Sequence, residues 1–599
     1  MLENVYAYFR ENIRKNEQQI AILKRKIHTI GTIRLLIVLM AIALFYFIPF
    51  PTWLERLVVL ALFAIPFIGL MVYHNRLFAQ RTDCEALLAY NQKELKALDY
   101  DFSAFDGAPE EQDAGHSYSL DLDLFGGHSL FQSMNRCVTT FGKKRLAAWM
   151  KQPLTQKDSI EERQDAVREL AAFPDQFQLF YLLGQRKSGK GSDIRNLEQL
   201  REGVNHFAEN RIWKVLVWIV PFFWLFLIGG YLSGFIAEKW LGIYLAASFI
   251  IAYWRTKEIY RLHLSVDKME HILKTYAGLM RHIEERRFQA PLLSELQRHF
   301  FKENQKASDS LKVLSRHIGA LNQRFSLAGM ILNLLYLRDT RQAIALEQWR
   351  VKHKEDITDW IMTLADFDAL SSLGNYAFTH PDFTYPEIAE SYFRMQGEQL
   401  GHPLLNRKQC VKNPIDIPRS PWFLIITGAN MAGKSTYLRT IGVNYLLACM
   451  GLPVCAKRLA VYPAHLVTSL RTSDSLAGNE SYFFAELKRL KMIITRLQAG
   501  EQLFIILDEI LKGTNSIDKQ KGSMALMKQL IAYQACGIIA THDLILGSLE
   551  QEFPHQIKNY RFEADIRNDE LSFSYKLQEG IAQNMNACFL MKKMGITMD

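Results

Sequence analysis

The hydrophobic and polar positions divide the chain into three kinds of segment. The first kind is a continuous apolar run, and four of these occupy residues 35–50, 57–73, 215–237 and 240–254. In residues 119–210 and 256–370, apolar positions instead recur at helical spacing among charged ones, which predicts all-α structure. From residue 385 onward, short β-like runs alternate with helical ones. That alternation predicts a parallel sheet with crossover helices.

The four apolar runs predict transmembrane helices. Residues 215–237 carry no charge and can cross a hydrocarbon core of about 30 Å, whereas the other three runs are near the lower length limit. Short connections, PFPTW in the first pair and EK in the second, predict two helical hairpins. Buried core helices are the alternative interpretation, most of all for residues 240–254.

Basic residues set the expected orientation of these helices. Seven of them precede the first run, whereas the links inside the hairpins hold only Arg56 and Lys239. By the positive-inside rule, both termini and the α/β region are expected in the cytoplasm, in a multi-pass protein of the inner (cytoplasmic) membrane. Residues 1–34 have the spacing of an amphipathic helix, which can lie on membrane lipid, pair with a partner or stay solvated.

Composition and net charge exclude fewer functions than the pattern of apolar and polar positions does. The chain has 599 residues, enough for several domains, and a net charge of +9. A mildly basic protein suits contact with DNA, RNA or an anionic lipid surface, and the charge alone selects none of them. The seven cysteines are scattered without a CxxC pair, which predicts reduced thiols and no structural zinc.

A nucleotide-binding loop is predicted in the α/β region. The stretch FLIITGANMAGKSTYLRT fits G-x-x-x-x-G-K-[ST], with a predicted strand before the loop and a helix after it. The glycines let the backbone wrap phosphates, and the helix N-terminus adds its positive end. Lys434 is expected to reach the β- and γ-phosphates of ATP, and Ser435 to offer its hydroxyl to Mg²⁺. The predicted cofactor-binding positions here are Gly428, Asn430, Gly433, Lys434, Ser435 and Thr436.

Two further strand ends carry candidate catalytic groups. The run LFIILDE delivers Asp508, expected to position Mg²⁺, and Glu509, expected to polarise the attacking water. The run IIATHD ends in His542, which in this order of strands predicts a γ-phosphate sensor. An acidic pair that caps a turn and a structural histidine are the alternative interpretations.

These motifs together resemble one family. TGANMAGKSTYLRT, DEILKGTNSID, ATHD and TSDSLAGNESYFFAEL resemble the ATPase domain of the MutS DNA mismatch-repair family, within the ABC ATPase superfamily. Independently, residues 119–154 are similar to the start of the family's lever domain, and residues 577–596 resemble its closing helix-turn-helix. The resemblance implies an α/β P-loop (ABC-type) ATPase domain and an all-α lever domain, to which the apolar runs add four transmembrane helices in two hairpins.

The resemblance also implies a composite ATP site in a dimer, expected here to be a homodimer. Each ATP would bind one subunit's P-loop and be completed by the other subunit's signature serine, which Ser481 matches. A plain helix N-cap is the alternative role for Ser481. The family's adenine-stacking aromatic falls at Cys410, ahead of the Asn413-Pro414 pair, which puts base stacking in doubt.

The expected domain order follows from these segments. It runs from an amphipathic helix (1–34) through the first hairpin (35–73), a helix and linker (74–118), the first lever part (119–210), the second hairpin (211–255) and the second lever part (256–370) to the ATPase domain with its helix-turn-helix (371–599). The first hairpin and the linker stand where the family has its mismatch-reading domain. The connector domain is also missing from the pattern, and the clamp domain has no obvious room.

These features predict a membrane-anchored, Mg²⁺-dependent ATPase that engages duplex or branched DNA, or a DNA-bound partner, without specific mismatch reading. Such DNA binding would rest on backbone contacts and weaken with salt. The candidate contacts, whose alternative role is a solvated helix face, are the basic lever residues Lys302, Lys306, Lys312, Arg316 and Arg324. Two other functions stay open: a structural or signalling ATPase at the membrane that binds no nucleic acid, and an ABC-type transporter.

Overall fold

The structure is a computed structural model that describes residues 1–50, 52–185, 207–266, 269–302, 305–429, 431–471, 482–567 and 570–583. The chain divides into two compact units. Unit one combines Met1–Asn135, Trp149–Pro174 and Leu373–Asp599, and unit two combines Arg136–Ala148 and Asp175–Ser372. The predicted ATPase region therefore belongs to unit one, and most of the predicted lever region belongs to unit two.

Unit one begins with two long antiparallel helices. Helix α1 spans Leu2–Phe47 and helix α2 spans Trp53–Leu98, each with 46 residues, or roughly 70 Å at the α-helical rise. Near their polar ends, the Tyr6 hydroxyl of α1 donates to the Leu98 carbonyl of α2 at 3.2 Å. Each helix is therefore more than twice as long as a bilayer core of ~30 Å requires, and only its apolar half could lie in lipid.

The polar half of α1 packs inside the protein. Leu23 and Ile27 form an apolar cluster with Leu77 of α2, and the ring of Phe9 contacts that of Phe378. The first apolar run continues α1 without a break. The buried face of residues 1–34 packs against the chain's own helices, a role that was not among the three expected, and it consists of Val5, Phe9, Ile20, Leu23 and Ile27.

Three helices among the described residues are long and apolar enough to cross a membrane: α1, α2 and α7 (Arg211–Leu232). In α1 and α2, no residue of the most apolar 18-residue stretch is buried inside the protein. In α7, 22% of the corresponding stretch is buried. The fourth predicted span corresponds to α8 (Glu238–Tyr253), which has 16 residues and falls short of the usual length of about 17–25. Four spanning helices in two hairpins are thus not shown, although each of the four predicted runs contributes to a helix.

After α2, unit one continues with a region of turns and then with shorter helices. Residues 99–129 hold only one short 3₁₀ turn, Pro109–Glu111, so the predicted linker begins where α2 ends. The further helices of this unit are α3 (Leu130–Met134), α5 (Lys157–Ala171), α16 (Lys434–Cys449), α17 (Tyr482–Gln498), α18 (Ser516–Ala532) and α19 (Leu549–Glu552).

Unit two is helical apart from one small hairpin, β1 (Phe301–Lys302) and β2 (Gln305–Lys306), in its described residues. Its amphipathic helices bury apolar stripes, as in the helix Met269–Glu284, where Leu273 and Met280 are fully covered. Besides α7 and α8, the helices are α6 (Pro174–Gln185), α9 (Thr256–Val266), α10 (Met269–Glu284), α11 (Pro291–Arg298), α12 (Ala307–Asn322), α13 (Leu327–Tyr336) and α14 (Arg338–His353), with α4 (Thr140–Lys151) and α15 (Asp356–Thr379) contributing residues to both units.

Two sheets complete unit one. A four-stranded sheet has the order β3-β7-β4-β5, and a six-stranded sheet has the order β12-β11-β6-β10-β9-β8. The strands are β3 (Glu387–Ile388), β4 (Met395–Leu400), β5 (Asn413–Ile417), β6 (Trp422–Gly428), β7 (Arg458–Val461), β8 (His465–Ser469), β9 (Leu503–Asp508), β10 (Cys536–Thr541), β11 (Ile557–Arg567) and β12 (Glu570–Glu579).

The larger sheet confirms the prediction of parallel strands. Strands β8, β9, β10, β6 and β11 pair in parallel, and β12 joins β11 as an antiparallel hairpin. Consecutive residues of β6, β9 and β10 are buried, because both faces of these strands are covered, and their sequences are accordingly unbroken apolar runs. The carboxyl ends of parallel strands share one edge of the sheet, which is where such folds bind ligands.

Only the first residues of the predicted closing helix-turn-helix are described. Residues 577–579, the start of the stretch that resembles a helix-turn-helix, belong to β12. The part of that stretch beyond residue 583 lies outside the described residues.

Candidate nucleotide site

The loop between β6 and α16 is shaped by two glycines with positive φ. Gly428 ends β6 at φ 151°, and a Cβ there would lie 2.5 Å from the carbonyl oxygen of Phe562. Gly433 has φ 105° immediately before the first residue of α16, a conformation that side chains other than glycine rarely adopt. Any larger residue at either position would therefore displace the loop from the N-terminus of α16.

Lys434 is buried at the centre of this loop. Its Nζ donates hydrogen bonds to the carbonyl oxygens of Gly428 at 2.7 Å and Ala429 at 3.0 Å. Burial lowers the pKa of Lys434, and the carboxylates of Asp508 and Glu509 oppose that shift. The ammonium group is thus held inside the loop, in the position from which a bound phosphate could recruit it.

Ser435 and Asp508 meet at the edge of the sheet. The Ser435 hydroxyl donates to Asp508 Oδ2 at 2.7 Å, while the buried Oδ1 atom has no hydrogen-bond partner. Burial raises the pKa of Asp508, and the bond from Ser435 counteracts it. A buried carboxylate oxygen without a partner, next to a hydroxyl, is the kind of oxygen pair that Mg²⁺ prefers, so these residues fit the predicted metal.

Glu509 is held by two basic side chains. His542 Nε2 lies 2.5 Å from Glu509 Oε1, and Lys512 Nζ lies 3.3 Å from Oε2. The hydrogen bond from His542 lowers the pKa of Glu509 to about 2, so the carboxylate is ionised at neutral pH. The backbone of Glu509 has φ 52°, and its N–H donates to the Ala540 carbonyl at 2.8 Å. This backbone bond fixes the acidic residue next to the strand that carries His542.

A buried glutamate on α17 supports the same loop. Glu486 accepts hydrogen bonds from the backbone N–H groups of Leu511 and Lys512, just beyond Glu509. Burial raises the pKa of Glu486, and the two backbone donors counteract it. Helix α17 directly follows the segment predicted to carry the signature serine, so Glu486 joins that helix to the loop that holds Glu509.

The loop opens into a cavity of about 480 Å³. Lys434, Ser435, Thr436 and Glu509 line one part of it, and Cys410 lines it as well, at the position predicted for the adenine-stacking residue. Tyr575 of β12 also faces this cavity, and a Cβ on Gly433 would lie 3.1 Å from its ring. Tyr575 was not among the predicted site residues, because the aromatic positions of the predicted hairpin do not show which side chain faces the cavity.

Tyr575→Ala is expected to weaken ATP binding, because Tyr575 supplies an aromatic surface to this cavity where Cys410 cannot. Stacking of a base on an aromatic side chain contributes about 1–3 kcal/mol, equivalent to a rise in Kd of roughly 5–150-fold. Titration of the detergent-solubilised protein with a fluorescent ATP analogue measures the change. Tyr575→Phe, which keeps the ring, is expected to bind like the parent; equal affinity of the alanine variant would rule out stacking at this residue.

The structure brings most of the predicted site residues together. Asn430 and Ser481 lie outside the described residues, so their predicted roles stay predictions. The residues that converge at the carboxyl edge of the sheet are Gly428, Gly433, Lys434, Ser435, Thr436, Asp508, Glu509 and His542.

The predicted DNA-contacting residues in unit two do not form one free basic surface. Arg324 is buried beside Asp339, with Nε 3.4 Å from Oδ2, and Lys302 forms an ion pair with Asp356 at 2.5 Å. These two residues therefore already have acidic partners. Lys312 and Arg316 are exposed on α12.

The strand order and the loop leaving β6 define the class of protein: unit one contains a P-loop ATPase domain of mixed α/β structure. In the larger sheet, β10 separates the strand before the loop from the strand that ends in Asp508. The loop, the acidic strand end and His542 thus come from three adjacent strands.

Comparison with known proteins gives the family. A family model of MutS domain V matches residues 424–596, and one of MutS domain III matches residues 117–374. The chain therefore belongs to the MutS family, and its domain III region includes the apolar helices α7 and α8.

Three relatives illustrate the extent of the similarity. The DNA mismatch repair protein MutS of Thermotoga maritima is 31% identical over 249 residues, which is 41% of this chain and 30% of the relative. The protein of the same name from Aquifex pyrophilus is 28% identical over 305 residues, or 49% and 34%. Human MutS protein homolog 4 is 30% identical over 234 residues, or 37% and 24%. The similarity thus spans only about a third or less of the length of these relatives.

Proposed function

We propose that this chain is a membrane-anchored MutS-like ATPase that hydrolyses ATP in a dimer and engages DNA or a DNA-bound partner. The observation that supports it most is the convergence of Lys434, the Ser435–Asp508 pair and the Glu509–His542 pair at one sheet edge. Each of these groups has a distinct task in phosphoryl transfer, and their shared location suits one bound triphosphate.

The P-loop residues bind the phosphates. Lys434 exchanges its bonds with the loop carbonyls for the β- and γ-phosphate oxygens, and Thr436 at the exposed start of α16 adds a hydroxyl. Ser435 and Asp508 hold Mg²⁺, which when bound neutralises charge on the phosphates. Glu509 orients the attacking water, and its low pKa favours positioning over permanent removal of a proton. His542 keeps Glu509 in place and is near enough to the loop to sense the γ-phosphate.

The dimer rests on the family resemblance. Ser481 of one subunit completes the ATP site of the other, so ATP holds two ATPase domains together. Glu486 then connects the signature helix of each subunit to its own Glu509 loop. A homodimer is the simplest form, because the chain carries both the P-loop and the signature segment.

Membrane anchoring rests on the exposed apolar helices. The apolar windows of α1 and α2 bury none of their residues, although water would disfavour so large an apolar surface. Helices α7 and α8 form the second membrane hairpin of the proposal, with α8 as its short member. Since basic residues cluster before the first span, the ATPase domain lies in the cytoplasm.

One ATPase experiment tests the proposal on the full chain in detergent. The hydrolysis rate is measured without addition, with duplex DNA, with branched DNA and with lipid, over a series of salt concentrations. DNA is expected to raise the rate, and the stimulation is expected to fade as salt increases, since backbone contacts release counterions. A protein without ATPase activity in any of these conditions contradicts the proposed catalysis itself.

Charge reversal locates the DNA contact. Lys312→Glu with Arg316→Glu, both exposed on α12, is expected to abolish the stimulation and to spare the basal rate. The matched control is Lys521→Glu with Lys528→Glu, the same change of charge on the exposed side of α18. If DNA still stimulates the α12 variant but no longer stimulates the α18 variant, the DNA contact lies on the ATPase domain instead.

A second candidate function is an ATPase at the membrane that binds no nucleic acid. Two of the basic residues considered for DNA contact, Lys302 and Arg324, already pair with Asp356 and Asp339, which favours this alternative. It predicts a hydrolysis rate that DNA leaves unchanged at every salt concentration and that lipid alters.

A further inference from the structure

Helix α13 is a short apolar helix in the middle of the lever region of unit two. It spans Leu327–Tyr336, with the sequence LAGMILNLLY, and lies between α12 and α14. It packs against both α7 and α8, the proposed second membrane hairpin. At ten residues, or about 15 Å, it is too short to span a bilayer.

The apolar side of α13 faces outward. Its buried residues are Gly329 and Asn333, whose side-chain Oδ1 accepts a hydrogen bond from the backbone N–H of Asp339. Its exposed residues are large and apolar, with exposed fractions of 77% for Leu327, 45% for Met330, 49% for Ile331 and 46% for Leu332. In a helix that faces water, the large apolar residues are expected to be buried, and Gly329 and Asn333 are expected to be exposed.

The helices that directly precede and follow α13 do not show this reversal. The preceding helix α12 buries its apolar residues in the ordinary way, including Leu311, Leu314 and Ile318. The following helix α14 buries Ala343 and Leu346. Helices α12 and α14 thus bury apolar residues as water-exposed helices of a soluble domain do, whereas α13 between them exposes its apolar residues.

The exposed side of α13 continues into the surface of α7. Tyr336 and a group of α7 residues line a shared pocket of about 520 Å³ with almost no polar surface. On α7, Trp218 is 69% exposed and Phe222 is 73% exposed. The two helices therefore present one continuous apolar surface, which is too large to be an ordinary feature of a protein surface in water.

Arg341 marks a polar edge of this surface. Its guanidinium lies 3.9 Å from the ring centre of Tyr336 and 4.7 Å from that of Trp218, and it donates to the Val217 carbonyl. Arginine together with tyrosine and tryptophan is typical of the headgroup level of a membrane, where the rings meet both apolar and polar surroundings.

We propose that α13 inserts into the membrane interface as a further lipid-contacting element, with its Leu, Met and Ile side chains among the acyl chains. Tyr336, Trp218 and Arg341 then lie at the headgroup level. This inference rests on the proposed anchoring through α7 and α8. Because α13 is joined directly to α12 and α14, a movement of these lever helices displaces α13 in the lipid, so the lever contacts the membrane itself and not only through its hairpin.

Site-specific photo-crosslinking of the full chain in lipid vesicles tests the inference. The vesicles contain phosphatidylcholine and phosphatidylglycerol with an alkyne at the end of one acyl chain. The photoreactive residue p-benzoylphenylalanine replaces Ile331 on α13, Phe222 on α7 as the membrane reference, or Lys312 on α12 as the exposed polar control. Lipid adducts from position 331 are expected to match those from position 222 and to exceed those from position 312 several-fold.

The possible outcomes distinguish failure of the α13 insertion from failure of the proposed membrane anchoring through α7 and α8. Lipid adducts from position 222 without any from position 331 overturn the insertion of α13 and leave the anchoring intact. A crosslink from position 331 to a second copy of the chain, in place of lipid, overturns the insertion as well, because a protein partner then covers the helix. If neither position gives lipid adducts, both the insertion of α13 and the proposed anchoring through α7 and α8 are overturned.

Discussion

Glu509→Gln is expected to bind ATP and to hydrolyse it at least 100-fold more slowly than the parent. The carboxylate of Glu509 is ionised at neutral pH, since His542 holds its pKa at about 2, and the amide removes that charge where the attacking water is oriented. Loss of a positioned acid–base group typically costs roughly 10²–10⁴-fold in rate. Release of phosphate by the detergent-solubilised protein measures the effect.

The same variant is expected to accumulate as a closed dimer when ATP is added. Glutamine keeps the volume of the side chain and leaves the contacts of Lys434 with the loop carbonyls untouched, so the phosphate site stays intact. ATP that is bound but not hydrolysed then continues to hold the two subunits together. Size-exclusion chromatography with and without ATP shows the shift.

A matched control is available at the opposite end of β9. Glu501→Gln makes the identical change just before β9, where the carboxylate only pairs with Arg496. Such a partly exposed pair contributes about 0.2–1 kcal/mol, and this variant is expected to keep the parent's hydrolysis rate. Parent-like hydrolysis by Glu509→Gln would instead assign the water-orienting role to another group.

The part of the site that could be predicted lies at strand ends. Strands β6, β9 and β10 are buried on both faces, so each is an unbroken apolar run whose end is easily located. A polar residue directly after such a run must lie at the carboxyl edge of a parallel sheet. This reasoning brought Asp508 and His542 to the P-loop without any knowledge of their distances.

Tyr575 could not be placed in this way, because its position depends on the pairing of a hairpin. Strand β12 pairs with β11 in antiparallel register, and the register shifts between Phe562 and Ala564. Between the pairs made by these two residues, β12 has two residues more than β11, and Tyr575 lies in that irregular stretch with φ 53°. Nothing in the local sequence fixes that shift, so the aromatic side chain facing the cavity was found only in the structure.

The ion pairs of the lever region and the exposed apolar side of α13 could not be seen in the sequence for a related reason. Arg324 and Lys302 look free in the sequence, yet each meets an acidic partner that follows it only after further helices. Helix α13 has the same apolar composition as a buried core helix, and periodicity alone cannot distinguish the two. Only the exposure of Ile331 and its neighbours shows which side of the helix the rest of the protein covers.

Lys434→Met is expected to lose ATP binding altogether in the micromolar range. Lys434 is the buried cation of the P-loop, and a charge-assisted hydrogen bond to a phosphate is stronger than a neutral one, contributing about 1.5–3 kcal/mol. Loss of two such bonds, to the β- and γ-phosphates, raises Kd by more than roughly 100-fold. Titration with a fluorescent ATP analogue measures this loss, and Lys528→Met on the exposed side of α18 is the matched control.

Thermal unfolding distinguishes lost binding from lost folding. Methionine keeps the length of the side chain, and burial already disfavours the charge of Lys434, so the nucleotide-free variant is expected to unfold near the parent's temperature. A ligand at 100 times its Kd stabilises the folded protein by about 2.7 kcal/mol, so ATP should raise the unfolding temperature of the parent and of Glu509→Gln. It should leave Lys434→Met unchanged. If ATP stabilises Lys434→Met as it does the parent, Lys434 does not bind the phosphates, and the proposed ATP-binding site is wrong.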